Sequence, residues 1–155
     1  MKRALLPLVF AAVIGCTKDQ SRTMSLPTEC SLDCAPFGMH TVKFHREEPD
    51  PRYNLPGVPV EQAKPYYHEV IANWPSVWLA ARVKIDELLD EYEYGEDLEK
   101  LIGDPKNSIQ VLIMAPEGGE RYRLDVFLNV GFEMGSHVFG VDFEELKAQE
   151  ATATF

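Results

Sequence analysis

Cys30, Cys34, Met39, His40 and His45 fall within sixteen residues, in the stretch CSLDCAPFGMHTVKFH. Two thiols, a thioether and two imidazoles can do three kinds of chemistry. The thiols can close a local disulfide, which an oxidising compartment favours. Two thiols and two imidazoles also number four, the count of a tetrahedral zinc site, although five residues between Cys34 and His40 are far fewer than a zinc finger uses. Thiolate, thioether and imidazole together suit Cu(I), with Met39 beside His40. All three readings stay open at this stage. No other cofactor is expected.

A second group is acidic. Residues 86–99, DELLDEYEYGEDLE, hold eight carboxylates. Asp86 with Asp90, and Glu87 with Glu91, are like-charge i,i+4 pairs on a helix, each unfavourable by a few tenths of a kcal/mol. The acids also crowd the end of that helix where its dipole prefers cations. Local rules broken without compensation point to function, here a face that meets a basic partner through Glu87, Asp90, Glu91 and Glu93. The plainer alternative is a solvated helix face.

Catalytic signatures are scarce. There is no GxSxG and no HExxH, and no Ser-His-Asp spacing stands out. A paired-carboxylate glycosidase remains possible in so acidic a chain, but an enzyme is not the expectation. Tyr66, Tyr67, Trp74 and Trp78 cluster within thirteen residues, and at that spacing read as core before they read as a ligand platform.

The elements that hold these groups start after a leader. MKRALLPLVFAAVIGC has a basic start, an apolar run from Leu5 to Ile14, and a small residue before Cys16. That is the layout of a secretory signal peptide, and its apolar run is about half of the roughly 20 residues a spanning helix needs. VIGC resembles the lipobox of bacterial lipoproteins. The resemblance implies cleavage before Cys16, acylation of Cys16, and membrane attachment through that lipid in the cell envelope. Thr17, where an Asp would favour the inner membrane, implies the outer membrane facing the periplasm. CSLDCAP is also loosely similar to the CxxxCP motif of copper-delivering proteins of the Sco type, with Ala35 intervening before Pro36.

Loss of residues 1–15 removes Lys2 and Arg3 and no acid, so the formal charge moves from −10 to −12. Such a surface excludes nucleic acid as a partner and suits a basic protein or a cation. An apolar fraction of 45% excludes a disordered chain.

The expected organisation is a signal peptide at 1–15, a lipid-anchored tether at 16–29, a Cys- and Pro-rich ordered loop region at 30–59, and an α+β domain at 60–155. Four prolines in 46–59 argue against regular structure there. Helical spacing runs through 60–74, with a start at Pro65 favoured by proline's place in a first turn. Ser76 reads as the next N-cap. Val77, Leu79, Ala81, Ile85, Leu88, Leu89 and Tyr92 mark the strongest helix, up to Gly95. A short helix ending at Gly103 follows. Strand patterns at 108–115 and 121–131 form a hairpin, with a further strand near 137–143 and FEELKAQ as a short final helix. The fold class is α+β, two to three helices packed on a small antiparallel sheet.

The leading functional expectation is an exported, lipid-anchored binding protein, of inhibitor or immunity type, for a basic protein partner. The alternatives are a periplasmic copper or zinc handling protein using residues 30–45, and a cell-wall-active enzyme.

Overall fold

The computed structural model describes residues 15–16, 28–114, 123–131 and 137–155. Residues 1–14 of the expected signal peptide and residues 17–27 of the expected tether lie outside this set. The chain runs β1 (Gly15–Cys16), β2 (Glu29–Asp33), β3 (Met39–Arg46), α1 (Val60–Ala72), α2 (Trp74–Glu91), α3 (Leu98–Gly103), β4 (Ser108–Met114), β5 (Arg123–Val130), β6 (His137–Glu144) and β7 (Lys147–Thr154). The class is α+β, as expected, with a larger sheet.

All seven strands form one sheet in chain order. Every neighbouring pair is antiparallel except β3 and β4, which are parallel. A parallel pair needs a long crossover, and the three helices supply it. Register aligns apolar residues across strands. Val42, Ile109, Leu128, Phe139 and Ala153 make one row; Phe44, Val111, Val126, Val141 and Ala151 make the next. Successive residues of a strand point to opposite faces, so both rows lie on one face. That face and the buried stripe of α2 (Trp74, Val77, Trp78, Ala81, Ile85, Leu88, Leu89) form a single core. The other face of the sheet is half-buried to exposed along most of its length.

Four expectations change. The 30–59 region is not all loop: it holds β3 and most of β2, a hairpin closed by residues 34–38. Its second half does lack helix and long strand, and folds back through an isolated Asp50–Leu55 bridge. α1 starts at Val60 rather than Pro65, and Pro65 sits inside it. The end of the chain is a strand, not a helix. Glu145 and Leu146, at φ 50° and 63°, form a two-residue turn that sends β7 back along β6. Such turns normally signal themselves with Asn or Gly, and this one carries neither. Ser76 is no cap: Asn73 is the N-cap of α2, and Pro75 lies in its first turn.

Candidate functional site

The cysteine segment is built by strand alternation. Cys30, Leu32 and Cys34 are buried on the helix face, as are Val42 and Phe44 of β3. Cys30 and Cys34 are four residues apart along extended chain, about 13 Å. A disulfide needs Cα atoms roughly 4.4–6.8 Å apart. The expected Cys30–Cys34 bond is therefore not made. Cys34 is a free, buried thiol. Cys30 is disulfide-bonded, and its Cα partner across the β1–β2 pair is Cys16.

The same alternation separates the other expected metal ligands. Met39 and His45 alternate to the face opposite Val42 and Phe44, and both are exposed. His40 is half-buried, with Nε2 3.2 Å from the carbonyl oxygen of Phe37. Cys30, Cys34, Met39, His40 and His45 thus do not converge. Among the described residues, no group of three or more His, Cys, Asp or Glu side chains could hold a metal ion.

What holds the segment is α2. The indole N–H of Trp74 donates to the carbonyl oxygen of Asp33 at 3.0 Å, and that of Trp78 to the carbonyl oxygen of Ala35 at 3.1 Å. The two indoles stack with centroids 6.0 Å apart. Within the turn, Cys34 N donates to Gly38 O and Phe37 N to Cys34 O. Burial pushes the Cys34 thiol up to about 12, against the opposing pull of a hydrogen bond with Trp74. This thiol is structural. Tyr67, Trp74 and Trp78 are core, as their spacing suggested, and Tyr66 packs half-buried against them.

The acidic group is where its helix places it. Glu87, Asp90, Glu91 and Glu93 are all exposed. Glu87 has Lys84 at 3.4 Å. Among the described residues, Asp90, Glu91 and Glu93 have no cation within ion-pair distance. Further along, Glu96 pairs with Lys100 at 2.8 Å, and Asp97 caps α3 by accepting from Lys100 N. α2 ends at Glu91. Tyr92 N donates to Leu88 O, Tyr94 N to Leu89 O, and Glu93 turns the chain with φ 48°. Leu79, expected in the buried stripe, is 51% exposed.

One pair is invisible in the linear sequence. Asp125 of β5 and Asp142 of β6 are direct cross-strand partners. Burial first, then hydrogen bonding and repulsion from Asp142, raise the Asp125 carboxyl to about 7; Arg123 opposes this weakly. Arg123 Nη2 lies 3.6 Å from Asp142 Oδ2. The pair can share a proton near neutral pH. A glycosidase needs its carboxyls about 5 Å or more apart, flanking a bond. These two are instead direct cross-strand neighbours on adjacent strands.

A cleft of about 330 Å³ opens where β3 outruns the start of β4, lined by His40, Thr41, Lys43, Asp104, Asn107 and Ser108 among others. Several of its polar groups are already engaged in the fold. Asn107 bridges Leu101 O and Gly131 N, Asp104 closes a turn on Lys106 N, and Ser108 Oγ accepts from Gln110.

No family model matches the sequence, and comparison with curated proteins and with solved structures also finds no match. Among the described residues, no helix is long and apolar enough to cross a membrane.

Proposed function

We propose that this chain is an exported binding protein, lipid-anchored at Cys16 in the cell envelope, whose acidic surface captures a basic protein partner as an inhibitor or immunity-type protein does. The observation that carries the reading is the exposed run Asp90, Glu91 and Glu93 at the end of α2, three carboxylates without a cation partner among the described residues, beside the weakly paired Glu87. Like charges held together on a rigid helix end repel one another, and a basic surface relieves that repulsion. A metal-handling role loses its support with the strand alternation that disperses residues 30–45.

Crosslinking in intact cells tests capture, with the wild type beside a variant carrying Glu87→Lys, Asp90→Lys, Glu91→Lys and Glu93→Lys. The wild type is expected to trap a basic protein that the variant does not. An identical crosslinking pattern for both removes the reading. The anchor has its own test. One sulfur cannot carry both a lipid thioether and a disulfide, and the disulfide-bonded Cys30 has Cys16 as its Cα partner across β1–β2. Intact mass of the envelope-extracted protein decides. A glyceride on Cys16 with a free Cys30 thiol supports the anchor; a Cys16–Cys30 disulfide on an unacylated chain contradicts it.

A further inference from the structure

We propose that the exposed ring pair of Tyr92 and Phe155 is the anchor point for a lysine or arginine side chain of the basic partner. Tyr92 follows the last residue of α2 and Phe155 follows the last residue of β7. Their ring centroids are 5.0 Å apart at an interplanar angle of 54°. Both rings are open to solvent, Tyr92 at 48% and Phe155 at 58%. Large apolar side chains of this size usually find cover, and two in contact at one seam form a patch rather than scattered exposure.

The rings are held from behind. Phe155 packs perpendicular to His137, with centroids 4.9 Å apart, and to the fully buried Phe139 at 6.0 Å. Tyr94 packs on the same two residues, at 5.3 and 5.2 Å. Tyr92 is fixed from the helix side by its own backbone bond to Leu88 O and by the turn at Glu93. A platform already locked by packing loses little conformational freedom when a partner lands on it.

Charge selects the occupant. Asp90 and Glu91 precede Tyr92, Glu93 follows it, and all three are exposed. An apolar or anionic partner would have to desolvate or approach these carboxylates without compensation. A cation meets both the negative faces of the rings and the surrounding carboxylates. A second copy of this chain brings the same negative charge, −10 over the full sequence, and is repelled. The inference rests on the acidic-face reading above and adds to it the aromatic anchor that makes the contact local.

The test titrates an acetylated octalysine peptide, and an octaglutamine control, into isotope-labelled protein at physiological salt, followed by NMR. The protein is compared with a Tyr92→Ala/Phe155→Ala variant, a milder Tyr92→Leu variant, and the four-lysine charge reversal. Retained dispersion of the spectra shows that each variant is folded. The expected result is binding of octalysine alone, with the largest shifts at residues 92–94, 137 and 155. The double aromatic variant is expected to bind about tenfold more weakly, in the range of cation–π contacts. If the aromatic variants bind octalysine as the wild type does while charge reversal abolishes binding, the anchor is overturned and the acidic-face reading stands. If charge reversal changes nothing, both fall. A dimer in sedimentation that the aromatic substitutions dissolve also overturns the proposal, since a second copy then occupies the patch.

Discussion

Trp78 of α2 donates its indole N–H to the carbonyl oxygen of Ala35 at 3.1 Å, across 43 positions of sequence. With Trp74 bonded to Asp33 O, it ties the β2–β3 turn to the longest helix. Trp78→Phe removes the donor together with part of the buried ring volume. It leaves a part-buried carbonyl unsatisfied, a loss of about 1–3 kcal/mol. Chemical denaturation should show a lower midpoint at unchanged slope.

The same packing makes Cys34 inert. Its thiol is buried, and burial holds it in the protonated form up to about pH 12. A thiol reagent should label no Cys34 in the native protein at neutral pH, and should label it fully in guanidinium. Native labelling at the rate of a free thiol would contradict the account of this turn.

Among the described residues, Gly57 is the glycine with the least freedom to change. Its φ is +64°, and a Cβ there would run into the backbone nitrogen of Pro49. The neighbouring Val58 N donates to Glu47 O, which pins the loop against the end of β3. Gly57→Ala should cost at least about 2 kcal/mol, from backbone strain plus collision. Thermal denaturation of the variant checks it.

Asp125 gives a pH signature. Its folded-state carboxyl is raised to about 7, whereas an ordinary Asp titrates near 3.8. Between those values the folded chain holds a proton that the unfolded chain has lost. Stability therefore falls as pH rises from about 4 to 7 and then levels. Asp125→Asn keeps the side-chain shape and removes the titration. The variant should match the wild type near pH 4 and exceed it at pH 8 by roughly 1–2 kcal/mol, a figure reduced for solvent screening of a partly exposed pair. Equal pH profiles for the two proteins would contradict the coupling.

How much of this was legible in the chain depends on range. Local period marked α2, α3 and the strands at 108–114, 123–130 and 137–144 well, since each writes its own face. β2 and β3 were hidden by cysteines, histidines and a proline that drew attention to chemistry, although Cys30, Leu32, Val42 and Phe44 alternate as strand residues do. β7 was hidden by its composition: LysAlaGlnGlu is helix-favouring, and only its pairing with β6 makes it a strand. Asp125 and Asp142 could be joined only by knowing the β5–β6 register, which the periodicity of neither strand fixes. The expected metal ligands are spread over both faces of β3 for a related reason. Spacing in sequence says little until the period, here 2, says which side chains share a face.

The most direct measurement is the salt dependence of affinity between this protein and the basic protein it traps in intact cells, for the wild type and the Glu87→Lys/Asp90→Lys/Glu91→Lys/Glu93→Lys variant. The wild type should bind tightly at low salt and weaken steadily as salt rises. The variant should bind at least about tenfold more weakly at low salt, with a flatter salt slope. Equal affinities, with the same salt slope for both proteins, would contradict the claim that the acidic end of α2 is the binding surface.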